Sequence, residues 1–211
     1  MSYENFNTYI EDDPLNHISK TVTQITVTNM TDGEEARVYK DYGTGFFGAP
    51  SVHMIDFQHL GGRASVGIYA LSNYIGDIDE LLTYPNIMIY SFYSNVGEDY
   101  ELVLWSRKSD LTAYSDYMYN LSTSTIYYLT ITRTETDVTV DVYSDSNRTN
   151  LINSLQVAMD TTTFRYVYAT VSRSAGGSNT VSAEIYNLDL GIKSRGAIFS
   201  NVQSIRSVMG I

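Results

Sequence analysis

Short runs of Val, Ile, Thr, Tyr and Phe recur along this chain, each closed by Gly, Asn, Asp or Ser. Runs of that length and composition predict strands, here at residues 22–28, 36–40, 52–57, 65–71, 87–93 and 101–106, then 126–133, 138–143, 151–157, 164–173 and 181–190. Alternation is clearest where Val138, Val140 and Val142 face Thr139, Asp141 and Tyr143, the period of a sheet with unlike faces. The polar stretches Thr134–Asp137 and Asp145–Thr149 separate such runs and predict hairpin turns. Helical periodicity is missing from the body of the chain; only residues 76–82 (GDIDELL) predict a short helical turn.

Strands of this number imply an all-β fold of two stacked antiparallel sheets, and one sandwich domain accommodates residues 1–190. After Leu190 the texture changes, and residues 191–211 read as a short C-terminal tail. Its apolar residues fit two spacings. Phe199, Val202, Ile205, Val208 and Ile211 recur every three positions, whereas Ile198, Val202, Ile205 and Met209 share one helical face. Such a tail either folds back on its own domain or docks on a neighbouring copy by strand addition or groove binding.

Composition narrows the partners. Of 211 residues 43% are hydrophobic and 18% charged, enough apolar material for a core. A net charge of -11 with no basic cluster opposes a phosphate backbone, so nucleic acid is not an expected partner. There are no cysteines, which excludes disulfides and thiolate metal sites. The first residues, MSYENF, lack the basic and apolar regions of a secretory signal, and no apolar stretch is long enough to predict membrane insertion. Nineteen tyrosines supply rigid amphipathic area suited both to packing and to binding.

Catalytic patterns are weak. Glycoside hydrolysis needs paired carboxylates across the scissile bond, and the nearest match, Asp77-Ile-Asp79-Glu80, falls in an expected loop with the wrong spacing. His17, His53 and His59 form no metal-ligand or nucleophile-activating spacing. The pairs Gly61-Gly62 and Gly176-Gly177 read as turns between strands, not as a phosphate loop leading into a helix. No cofactor is expected from these residues.

Two stretches carry a family likeness: Asp12-Asp-Pro-Leu-Asn-His-Ile18 through Val38-Tyr-Lys-Asp-Tyr-Gly43, and Tyr127 through Arg133, Tyr143-Ser-Asp145 and on to Leu155. They resemble the concanavalin-A-like, laminin-G-like jelly roll, and in particular uncharacterised structural proteins of tailed bacteriophages and prophages. In that family a strand ending in Arg precedes a hairpin, and the next strand ends in Tyr-Ser-Asp, as at Arg133 and Tyr143–Asp145 here. The resemblance implies a jelly-roll sandwich with a concave binding face, for which Tyr69, Tyr90, Phe92, Trp105, Arg107 and Tyr168 are the candidates, Trp105 beside Arg107 foremost.

Members of that fold often hold a structural calcium near the chain ends. Glu11, Asp12, Asp13 and Asp189 are the carboxylates available to one; the alternative is a solvated acidic loop with Asp12 or Asp13 capping a turn before Pro14. The implied function is a non-enzymatic structural or decorating component of a phage virion or similar extracellular assembly. Its partners would be other copies of itself or virion proteins, reached through the tail. The alternative is a lectin-like module recognising cell-surface glycans, with a hydrolase ranked last.

Overall fold

The computed structural model describes residues 2–95, 97–173 and 177–192. Fourteen strands and one α-helical turn follow in chain order: β1 (Ile10–Asp12), β2 (Ile18–Lys20), β3 (Gln24–Thr31), β4 (Arg37–Asp41), β5 (Ser51–Gly62), β6 (Val66–Ser72), α1 (Ile78–Leu81), β7 (Asn86–Ser94), β8 (Asp99–Arg107), β9 (Ala113–Met118), β10 (Ile126–Arg133), β11 (Asp137–Tyr143), β12 (Leu151–Ala158), β13 (Tyr166–Val171) and β14 (Thr180–Asp189). They form two antiparallel seven-stranded sheets. Sheet A has the order β1-β4-β13-β6-β7-β8-β9, and sheet B the order β12-β11-β10-β5-β14-β3-β2. The result is the expected all-β, jelly-roll-like sandwich. Every expected strand is present, and residues 76–82 do contain the helical turn. The short β1 and β2 and the edge strand β9 add to them; β9 reads AYSDYM, too polar to stand out as a strand.

Alternation builds sheet B. In β10 and β11 every second residue is buried, so Leu129, Ile131, Val138, Val140 and Val142 enter the core while Thr130, Thr132, Thr139 and Asp141 stay partly exposed. The facing layer comes from Val38, Val66, Ile68, Leu71, Ile87, Ile89, Leu102, Leu104, Val167 and Ala169 of sheet A. The two central strands β6 and β13 are buried at every position, which means both of their faces are covered. That is why their sequences, VGIYALS and YVYATV, do not alternate.

Irregularities in the ladders decide where individual rings point. On β6 the register shifts between Gly67 and Tyr69, so that Ile68 and Tyr69 both join the inter-sheet core. Gly67 is needed there, because a Cβ would come within 2.4 Å of Val171 Cγ1. The amino-terminal segment meets the end of β14 on sheet B, where Ser2 N–H donates to Asp189 Oδ2 and Glu4 N–H to the Leu188 carbonyl. Past β14 the chain turns at Gly191, whose φ is +63° and where a Cβ would lie 2.7 Å from the Val52 carbonyl oxygen. The expected tail residues Ile198, Phe199, Val202, Ile205, Val208, Met209 and Ile211 lie outside the described residues.

Candidate functional site

The outer face of sheet A, opposite the core, is half roofed and half open. The roof is the loop between β6 and β7 that contains α1. Asp77 caps α1 by accepting from Glu80 N–H at 2.9 Å, and Glu80 returns the bond by accepting from Asp77 N–H at 3.2 Å. Asp79 is engaged by Arg173 Nε at 3.0 Å. The acidic run weighed as a catalytic dyad is therefore a capping box plus an ion pair. Beneath it Ile78 and Leu81 pack on Ala70, Met88, Tyr166, Tyr168 and Val171, a second apolar cluster separate from the main core.

The six expected binding residues divide accordingly. Tyr69 does not reach this face: the β6 irregularity turns it into the core, where its hydroxyl lies 2.6 Å from His53 Nδ1. Tyr168 is on the outer face but fully buried under the roof, its hydroxyl donating to the Tyr74 carbonyl and accepting from Gly76 N–H. Both rings thus hold the fold. Tyr90 and Phe92 are half-buried at the roof's edge, lining a cavity of about 100 Å3 with Ser65, Ile78, Leu82 and Arg173. Burial, with Tyr117 nearby, pushes the Tyr90 hydroxyl up to about 12, so it stays a hydrogen-bond donor.

Trp105 and Arg107 lie on the open half. They stand two apart on β8, hence on one face, opposite Met88 and Asn86 of β7 and Ser115 and Ala113 of β9. Trp105 is half-buried, and its Nε1 is buried without a hydrogen-bond partner. Arg107 Nη1 donates to the Thr83 carbonyl at 3.3 Å, while its Nε has no partner. Tyr117, opposite Val103, and Tyr119 stack at 6.1 Å with 17° between their planes, extending the aromatic surface along the edge. Sequence reasoning missed both because β9 itself was not legible.

No imidazole reaches this face. His53 and His59 point from β5 into the core, His59 Nδ1 lying 2.9 Å from Ser91 Oγ, and His17 pairs with Glu34 at 2.8 Å. The groups on this face can stack on rings, hydrogen-bond and form ion pairs.

The carboxylates expected to gather calcium have other partners. Asp12 pairs with Arg37 at 2.5 Å, Asp13 Oδ2 accepts from Ile18 N–H at 2.7 Å, and Asp189 accepts from Ser2 and Gly191 N–H groups. Glu11 pairs with Lys20 at 3.3 Å. Among the described residues no group of three or more His, Cys, Asp or Glu side chains is placed to hold a metal. Asp13 thus caps its turn through Oδ2, while its Oδ1 is buried without a partner among the described residues.

No protein-family model and no curated protein matches the chain. Solved structures do. A functionally unknown protein from Saccharomyces cerevisiae superposes with a TM-score of 0.56 at 9% identity, covering 88% of this chain and 96% of that one. An alginate lyase from Alteromonas sp. 272 gives 0.54 at 9% identity, covering 87% and 93%. Full-length tailspike protein 2 from Escherichia coli O157:H7 bacteriophage CAB120 gives 0.51 at 8% identity, covering 90% of this chain but 26% of the tailspike. At these identities the likeness is one of fold, and it spans an alginate lyase and a phage tailspike protein alike.

Proposed function

We propose that the chain is a non-enzymatic binding module that recognises glycan on the open half of the sheet A face, with Trp105 as the stacking platform and Arg107 as its polar partner. The observation that carries this reading is the pairing of a partly exposed indole with a partly exposed guanidinium at neighbouring same-face positions of a rigid sheet. Aromatic faces stack on the apolar faces of sugar rings, and fork-shaped donors select hydroxyl or carboxylate oxygens. The fold is shared with an alginate lyase and with a phage tailspike protein, which is consistent with a carbohydrate-related role.

A glycan array probed with the purified protein tests it. Binding to at least one glycan class is expected, weakened about tenfold or more by Trp105→Ala and by Arg107→Gln. Silence across the array, or binding indifferent to both changes, sinks the reading.

A second reading, an assembly component of a virion or comparable extracellular surface, is favoured by the geometry of the chain's exit from β14. At Gly191 the chain turns beside an open groove of about 470 Å3 lined by residues that include Pro50, Val52, Thr132 and Leu190, and Val52 is 49% exposed. Removing residues 193–211 is expected to leave the sandwich folded and to reduce self-association in a sedimentation experiment. An unchanged sedimentation profile rejects tail-driven assembly.

A further inference from the structure

The hairpin end of the same sheet A face holds a cleft that neither reading of function uses. The β7–β8 register sets Ser94 opposite Asp99 and Phe92 opposite Glu101, so Ser94, Asp99 and Glu101 project from one face. β9 pairs Met118 with Leu102, and the chain just beyond brings Tyr119 and Asn120 to the same place. Together with Gly97 they line an open cleft of about 500 Å3. Every lining side chain other than the glycine carries an oxygen.

The carboxylates of this cleft are under-satisfied. Glu101 is only 6% exposed, yet no hydrogen bond or ion pair reaches it among the described residues. Asp99 Oδ2 accepts from Asn120 N–H at 2.9 Å, but its Oδ1 is buried with no partner. Gly97 lets that oxygen sit where it does, since a Cβ would lie 2.4 Å from it. Two residues apart on a strand, the two acids sit roughly 6.6 Å apart along the backbone. None of the ion pairs among the described residues includes either one. In a chain of net charge -11, Asp99 Oδ1, buried without a donor, and the Glu101 carboxylate, which lines the open cleft with no protein partner among the described residues, leave negative charge at the cleft that a cation there would compensate.

We propose that Asp99 and Glu101, with neutral oxygens from Ser94, Tyr119 and Asn120, form a calcium site at the hairpin end of the sheet A face. The donor set selects the ion. It is all oxygen, which disfavours zinc, and it is assembled from a strand pair and a loop in an open cleft, which suits the irregular, partly hydrated shell of calcium over the strict octahedron of magnesium. Two carboxylates place the affinity in the weak class of extracellular modules, with Kd on the order of 10⁻⁴–10⁻³ M. The site depends neither on glycan recognition nor on the tail.

Terbium luminescence tests it on the full chain without any glycan, because Tyr119 at the cleft would sensitise a bound ion. Sensitised emission is expected to saturate, to be released by millimolar calcium and to resist the same concentration of magnesium. Asp99→Asn combined with Glu101→Gln should reduce it at least tenfold. The double variant retains side-chain shape and removes the repulsion, so its calcium-free melting temperature should equal or exceed that of the parent, and calcium should no longer raise it. Absence of sensitised emission, release by magnesium as readily as by calcium, or full emission from the double variant would each overturn the site.

Discussion

Acidification from about pH 7 to about pH 4.5 is expected to remove up to about 3 kcal/mol of folding stability for each of two core histidines, enough to unfold a domain of ordinary stability. Burial pushes His53 down to about 4, with the charge of Arg133 adding to the effect, and burial likewise pushes His59 down to about 4. Both side chains are enclosed between the sheets, at 2% and 0% exposure. In the unfolded chain they titrate near 6.5. Between about pH 6.5 and 4 the unfolded state binds two protons that the folded state does not, so stability is fully present above that window and falls as pH drops through it.

Urea denaturation at a series of pH values should give a slope approaching about 2.7 kcal/mol per pH unit, and His53→Gln or His59→Gln should each bring it to about half. Asp32 and Asp56, raised above the ordinary carboxylate range chiefly by burial, oppose the trend only at the acid end of the window. A wild-type stability that is flat between about pH 7 and 5 would refute this account.

Replacing Arg133 by Met is the second large effect expected, a loss of about 3 kcal/mol read as a lower urea midpoint at unchanged slope. Arg133 is 2% exposed and ends β10. Its guanidinium gathers the carbonyls of Phe47, Asp160 and Thr162 and lies over the Phe164 ring at 5.0 Å. Burial pulls its pKa down, yet no carboxylate among the described residues forms an ion pair with it. Methionine fills the space but leaves three carbonyls without a donor, and each buried unpaired group costs about 1–3 kcal/mol, offset in part by no longer burying a charge. The substitution Arg133→Lys keeps the charge without the fork, so it should recover only part of the loss. A Met variant within about 1 kcal/mol of wild type would contradict the carbonyl-clamp role.

Arg133 also shows how far a sequence pattern reaches. A strand ending in Arg, followed by a hairpin, was visible in the chain; that the Arg turns inward to clamp two loops was not, because its acceptors are main-chain carbonyls from residues 47, 160 and 162. Tyr69 makes the same point in reverse. Simple alternation cannot foresee a register shift at Gly67, and that shift exchanges the outer face for the core. The acids weighed for calcium near the amino end each meet a local donor, Arg37, Ile18 N–H or Ser2 N–H, that sequence spacing does not reveal. The cleft at Asp99 and Glu101 escaped notice because its members come from two strands, their hairpin and the chain just past β9, a strand too polar to read.

The sequence by itself determined what short-range physics dictates. Period-2 hydrophobicity set β10 and β11, polar turns set the hairpins, and Asp77 with Glu80 set one capped helical turn. Only the tertiary structure decided which of nineteen tyrosines face outward, since roofing by the α1 loop, a ladder irregularity and cross-sheet donors act between residues far apart in the chain. Trp105 and Arg107 were legible as neighbours on a strand; their place on the open half of sheet A came from the packing of everything else around them.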